Sequence, residues 1–138
     1  EMVEGFYREI RAGAQLAVCT HVSNVFGYVL PIERIADLCS ENRVPLIIDA
    51  SQSAGTIPVD WMRLRPAYIA MPGHKALMGP QGTGILICSN TAEPIIEGGT
   101  GSNSFSFEMP GELPDRLEAG THNMPGIAGL NASMEYNL

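Results

Sequence analysis

Ile69-Ala-Met-Pro-Gly-His-Lys-Ala-Leu-Met-Gly-Pro-Gln-Gly-Thr-Gly-Ile-Leu-Ile-Cys88 is the stretch that decides how the rest of the chain is read. It sets one lysine, Lys75, between a short apolar run, Ala67 to Met71, and a Gly/Pro-rich segment, Gly79 to Gly84, that leads into a second apolar run, Ile85 to Cys88. Short apolar runs bounded by turn residues read as strands, so the lysine falls on a loop and not on a solvated helix face. An amine at the mouth of an apolar element loses hydration, which favours its neutral, nucleophilic form, the form that Schiff-base chemistry needs. Taken alone, an ordinary exposed loop lysine is the commoner outcome. The neighbouring segments decide between the two.

Upstream, residues 2 to 12 carry Met2, Phe6 and Ile10 at helical spacing, with Gly13 as a fitting stop. Gln15 to Thr20 is a nearly continuous apolar run of the kind expected for a strand buried on both faces, and it ends in Thr20-His21-Val22-Ser23-Asn24. Pro31 opens a helix over residues 31 to 42, with Ile32, Ile35, Ala36, Leu38 and Cys39 on one side. Val44 to Ile48 reads as a second buried strand and ends in Asp49-Ala50-Ser51-Gln52-Ser53. Val59 to Leu64 forms a short helix before the third strand, Ala67 to Met71, which ends in His74-Lys75.

Strand, helix, strand, connection, strand is the order of an open α/β sheet with parallel neighbours. Ligands of such sheets collect beyond the carboxyl ends of the strands, where loops and helix N-termini leave a crevice with free donors. Three consecutive strands deliver polar clusters to that one edge, and this coincidence lifts Lys75 above a loop lysine.

Downstream, Gly79 to Gly84 is a turn, and Ile85 to Cys88 returns as an antiparallel strand. The glycines lack the Gly-Lys-Ser/Thr ending of a phosphate-cradling P-loop. Residues 97 to 114 are too rich in Gly, Ser and Pro for regular structure and read as a long functional loop. Pro125 to Tyr136 opens a last helix with Ile127, Leu130 and Met134 on one face.

The 138 residues, 45% apolar and 17% charged, suit one globular domain with a real core. A formal net charge of −7 argues against nucleic acid or an anionic membrane surface as partner, so any phosphate must be held locally. No apolar stretch approaches the ~20 residues of a membrane span, and Glu1-Met2-Val3-Glu4-Gly5 lacks the order of a signal peptide, which makes the cytoplasm the expected compartment. Cys19, Cys39 and Cys88 are odd in number, widely spaced and set among apolar residues, so buried free thiols are expected over disulfide or metal use.

An acid (Asp49), an amide three residues on (Gln52), a histidine (His74) and a lysine (Lys75) suit one cofactor. Pyridoxal phosphate needs a lysine for the imine, a carboxylate to keep the ring nitrogen protonated, and a donor near the phenolic oxygen. The alternative, in which Asp49 merely caps a turn, stays open on these residues alone.

The runs Asp49-Ala-Ser-Gln-Ser-Ala-Gly55, Gly73-His-Lys-Ala-Leu-Met-Gly-Pro80 and Arg116-Leu-Glu-Ala-Gly-Thr121 resemble the class V aminotransferase family of fold type I pyridoxal phosphate enzymes, nearest its cysteine desulfurase and selenocysteine lyase branch. The resemblance spans roughly residues 15 to 137 and implies a mostly parallel sheet flanked by helices with one antiparallel strand. It further implies Lys75 as the Schiff-base lysine and proton carrier at the substrate α-carbon. Asp49 is implied at the pyridine nitrogen, Gln52 at the phenolic oxygen, His74 at the phosphate and Asn24 beside the cofactor and the substrate carboxylate. Thr100, or Ser102 beside it, matches the segment that reaches the neighbouring subunit's phosphate in a homodimer. The substrate implied is a small amino acid, cysteine first, cleaved at its carbon–sulfur bond.

The chain departs from the family's pattern in places. Relatives often carry a serine two residues before the histidine as a phosphate ligand; here Pro72 offers neither hydroxyl nor N–H. None of the three cysteines matches the family's persulfide-carrying loop cysteine. His21 is assigned no role, and Arg116 is expected to pair with neighbouring acids. The upstream Gly/Thr phosphate loop, the residue that stacks on the pyridine ring and the downstream substrate arginine are not found, so residues 1 to 138 read as the central portion of a larger cofactor domain, inactive by itself. Two further readings remain: an aminotransferase or other amino-acid lyase of the same class, and a non-catalytic α/β domain that associates through residues 97 to 114.

Overall fold

The computed structural model describes residues 1–90, 92–102 and 105–137. They form two compact units, one of Glu1–Ser89 with Gly126–Leu138, the other of Asn90–Pro125.

In the first unit, helix α1 (Met2–Arg11) buries Ile10 and packs Phe6 against the core, following the four-residue spacing of its apolar positions. It stops where the Ala12 and Gly13 N–H groups bond to Arg8 and Ile10 carbonyls and Gly13 turns left-handed at φ +101°. Strand β1 (Ala17–Thr20) is followed by α2 (Ile32–Glu41), whose Ile32, Ile35, Ala36 and Cys39 are buried. Pro31 is the residue before the first turn of α2, one position earlier than its usual place inside it.

Strand β2 (Leu46–Asp49) leads to the short helix α3 (Trp61–Leu64), which starts two residues later than its apolar pattern suggests. The start is set by Asp60, whose carboxylate accepts the Arg63 N–H at 3.1 Å. Arg63 also grips Asp37 of α2 with two bonds of 2.6 and 2.8 Å, joining the two helices. Strands β3 (Tyr68–Pro72) and β4 (Gly84–Cys88) complete a four-stranded sheet in the order β1-β2-β3-β4. The first three strands are parallel and β4 is antiparallel to β3. This is the expected α/β architecture, including the single antiparallel strand.

The core gathers α1, α2 and one face of the sheet around Ile35, Ile48 and Ile69, each almost fully buried. Each such side chain contributes roughly 1.5–3 kcal/mol through the apolar area it removes from water. The expectation that β1 is buried on both faces is not met. Ala17 and Cys19 face the helices, while Val18 between them is 61% exposed. The cause is the two-residue alternation of a strand: Val18 points to the opposite face, where Leu86 of β4 is also exposed.

Helix α4 (Met124–Asn137) also differs in one detail. Leu130 is buried and Met134 packs against the core, but Ile127 is 44% exposed, and buried Gly126 takes its place on the inward stripe.

The three cysteines are free, with Cys19 and Cys39 buried as expected and Cys88 only half-buried at the end of β4. Burial is the main cause that pushes the Cys19 thiol up to about 11. A thiol with a raised folded-state value is stabilising below its unfolded value, near 9, and that contribution fades as pH rises through 11. Denaturation followed from pH 8 to pH 11 is therefore expected to show a loss approaching ~2–3 kcal/mol, at about 1.4 kcal/mol per unit. A Cys19→Ala variant should flatten that slope.

Candidate functional site

Asp49 ends the middle strand of the three parallel ones, with Thr20 of β1 and Ala70 of β3 as its register partners. The ladder continues past it: the His21 N–H donates to the Asp49 carbonyl and the Ala50 N–H to that of Ala70, both at 2.9 Å. β1 and β2 thus finish at one level, and β3 runs two residues further, to Pro72, along β4. The half-buried Asp49 carboxylate accepts the Ser51 N–H at 2.9 Å through Oδ1, an Asx-type contact that fixes its direction.

The chain then turns over Ala50–Ala54, closed by N–H donation from Ser53 and Ala54 to the Ala50 carbonyl. Ser53 is fully buried beneath this turn, and Gln52 projects from it. The Gln52 Nε2 donates to Asn24 Oδ1 at 2.5 Å, which joins the loop after β2 to the loop after β1. Asn24 itself lies in a tight loop closed by the Ser23 N–H to the Tyr28 carbonyl and the Gly27 N–H to the Ser23 carbonyl, each 2.9 Å.

Lys75 occupies the turn after β3. The Gly79 N–H donates to the Gly73 carbonyl at 2.7 Å and the Met78 N–H to the Lys75 carbonyl at 2.8 Å, which closes a compact loop with His74 and Lys75 at its exposed tip. Met78 takes the left-handed φ of +57°, rare for a side chain of its size. Within residues 1 to 138 Lys75 is exposed at this turn, so the hydration loss expected for it is not found there. Pro72 pairs with Gly84 in the sheet and leaves the turn without a hydroxyl at that position.

Glycines fit this loop closely against its surroundings. A Cβ on Gly55, at φ +85°, would sit 2.9 Å from the Ala76 carbonyl oxygen. The Asp49–Gly55 loop and the lysine turn therefore meet backbone to backbone. On the other side, a Cβ on Gly79 would come within 2.6 Å of Leu130 of α4.

Thr100 belongs to the second unit. Its hydroxyl lies 2.8 Å from that of Ser102, so the two candidate residues form one hydrogen-bonded pair around Gly101 at φ +86°. The loop is pinned by the Gly120 N–H to the Gly99 carbonyl at 2.9 Å. Arg116, as expected, pairs with an acid, Glu93 at 2.5 Å, and also donates to the Ala92 carbonyl at 3.0 Å. None of the described residues between 97 and 114 lies in a helix or strand, in keeping with the long loop read from its composition.

Three features of the site escape a sequence reading. Ser133 and Asn137 of α4 both reach the Leu77 carbonyl, at 2.8 and 3.3 Å. Gly55 makes its close approach to Ala76. His21 is 4% exposed with its Nδ1 lacking a partner among the described residues. Burial holds His21 below the usual imidazole value, with Glu33 pulling weakly the other way. A groove of about 300 Å³ lined by Met2, Phe6, Ile10, Leu16 and Val18 lies at the amino end of β1, away from these residues.

The family model for class V aminotransferases matches residues 3–137. The chain belongs to the class V aminotransferase family. Among its relatives, a probable cysteine desulfurase of Pyrococcus abyssi is 35% identical over 130 residues, covering 90% of this chain and 32% of that protein. One of Methanothermobacter thermautotrophicus is 34% identical over 131 residues, with 88% and 32% covered. The apo structure of a cysteine desulfurase from Thermococcus onnurineus NA1 superposes with a TM-score of 0.82 at 32% identity, covering 98% of this chain and 35% of that one. The mixed four-stranded sheet is thus the sheet of this family, and the chain spans about a third of the length of these relatives.

Proposed function

We propose that the chain supplies the lysine turn and its neighbours to a pyridoxal-phosphate-dependent cysteine desulfurase, residues 1 to 138 being the central portion of its large cofactor domain. The observation that carries this reading is the meeting of the carboxyl ends of β1, β2 and β3, with the joined Asn24–Gln52 pair, the half-buried Asp49 carboxylate and Lys75 on consecutive loops. The donor set fits the cofactor's chemistry: a carboxylate for a pyridinium, amide groups for a phenolic oxygen and a carboxylate, and an amine for an aldehyde. When bound, pyridoxal phosphate acts as an electron sink for carbanion character at the substrate α-carbon.

The chain's own residues have separable tasks in this reading. Lys75 presents Nζ to the cofactor aldehyde and carries the proton at the substrate Cα. Asp49, already oriented by the Ser51 N–H, holds the proton on the pyridine nitrogen. Gln52 spends one N–H on Asn24 and keeps the other for the phenolic oxygen, so Asn24 and Gln52 act as one unit. His74 holds the phosphate from the tip of the turn, where Pro72 gives nothing. Thr100, paired with Ser102, serves the phosphate of a second copy in a homodimer. Cysteine becomes alanine as its carbon–sulfur bond breaks and the sulfur passes to an acceptor thiol outside this chain. The cytoplasm, where thiols stay reduced, is the compartment this chemistry suits.

The test is to load the full-length protein that carries these residues with pyridoxal phosphate and offer cysteine with a reducing thiol. Alanine and sulfide forming in equal amounts is the expected result. Conversion of a keto acid partner to an amino acid without sulfide would replace this reading with that of an aminotransferase.

A further inference from the structure

We propose that Ser133 and Asn137 of α4 are positioning residues for Lys75. They hold the lysine turn through the carbonyl of Leu77, two residues away, and this inference rests on the role given to Lys75 above. The Leu77 carbonyl faces Ser133 Oγ at 2.8 Å and Asn137 Nδ2 at 3.3 Å, while its buried side chain points into the core. A carbonyl has two lone pairs, and these donors, four residues apart on one helix face, fill both. Ser133 Oγ also lies 2.9 Å from the Leu130 carbonyl of its own helix, so its one proton is shared between the helix and the turn.

The anchor is placed where it matters. The two bonds that close the turn, Gly79 to Gly73 and Met78 to Lys75, leave residues 74 to 77 without other backbone ties in the sheet. Met78 in the left-handed region adds strain that a free turn would relax. On the opposite side the turn abuts Gly55, whose missing side chain admits the Ala76 carbonyl. Leu130 fills the space beside Gly79 and Gly73. The turn is therefore gripped between the loop that bears Asp49 and Gln52 and the helix that bears Ser133 and Asn137. Moving α4 moves Lys75 relative to Asp49, and an amine that must attack an aldehyde and carry a proton tolerates little displacement.

The experiment compares the full-length protein that carries these residues with its Ser133→Ala/Asn137→Ala variant, in which alanine preserves the helix. Two readouts are taken: amide hydrogen exchange, and the pH midpoint of the absorbance of bound pyridoxal phosphate together with its rate of borohydride-fixable attachment. The expected result is exchange about tenfold faster at Met78 and Gly79 with the β2 amides unchanged, as fits the loss of two hydrogen bonds. Attachment should slow and the pH midpoint shift, and Ser133→Thr with Asn137 intact should keep both near those of the parent. Unchanged exchange at Met78 and Gly79 overturns the anchor. Faster exchange with unchanged attachment and midpoint overturns the positioning role and leaves only a structural contact. A parent protein that takes up no cofactor on Lys75 overturns the reading of Lys75 itself, and is told apart because the failure then precedes any substitution.

Discussion

In the full-length protein that carries these residues, Lys75→Ala is expected to abolish borohydride-fixed labelling by pyridoxal phosphate and, with it, alanine formation from cysteine, while the fold is unchanged. The substitution removes an exposed side chain at the tip of a turn whose closing bonds are all backbone, so stability should move by less than about 0.5 kcal/mol. Peptide mapping of the labelled parent protein should find the pyridoxyl group on the peptide that carries Lys75. Label on another lysine, or label retained in Lys75→Ala, would sink the assignment. A second variant separates holding the cofactor from using it. Asp49→Asn keeps an acceptor for the Ser51 N–H but loses the charge that keeps the pyridine nitrogen protonated, so labelling should persist while turnover falls, by roughly a hundred- to a thousandfold as for other preorganised electrostatic groups. Equal turnover in Asp49→Asn would return Asp49 to a turn cap.

The strand order and the meeting of polar clusters at one edge were legible because each depends on short-range pattern. Apolar runs of four or five residues mark β1, β2 and β3 and place the polar clusters after them, while the register that sets Thr20, Asp49 and Ala70 at one level comes from the sheet itself. Arg116 was expected to form an ion pair and does, but its partner Glu93 lies 23 positions away in sequence, which local pattern does not name. What the pattern did not carry is anything decided by which face meets which neighbour. Val18 reads as buried in a run of apolar residues, yet its exposure follows from the side of the sheet it occupies. The bond from Ser133 to the Leu77 carbonyl crosses 56 positions of sequence and involves a backbone acceptor, which leaves no trace in residue type. Gly55 looks like any loop glycine, and its φ of +85° together with the approach of Ala76 gives it a reason. Lys75 shows the same limit from the other side. Its surroundings in sequence are apolar, but in the structure it lies exposed at the tip of its turn.

Gly73→Ala is expected to cost roughly 2–4 kcal/mol and to weaken cofactor attachment at Lys75 together with stability, the sum of overpacking and a lost hydrogen bond. A Cβ at this position would lie 2.1 Å from Thr83 Oγ1 and 3.2 Å from both Thr83 Cβ and Leu130 Cδ1. The hydroxyl cannot swing aside freely, since it donates to the Pro80 carbonyl at 2.7 Å. Nor can the backbone shift, because the Gly73 N–H and the Thr83 carbonyl are bonded at 2.8 Å and the Gly73 carbonyl receives the Gly79 N–H. The strain therefore passes into the bond that closes the lysine turn, and the loss of stability and the loss of attachment should appear together. Urea denaturation of Gly73→Ala, Thr83→Ala and the double variant decides the cause. Removal of the hydroxyl relieves the shortest contact, so the double variant should be more stable than the sum of the single losses predicts, with a coupling of about 1 kcal/mol or more. Gly99→Ala, where no atom lies within 4 Å of the added carbon, should leave stability within about 0.5 kcal/mol of the parent. Strict additivity between Gly73→Ala and Thr83→Ala would mean that the turn yields elsewhere and that Gly73 is not the point where the sheet and the lysine turn are locked together.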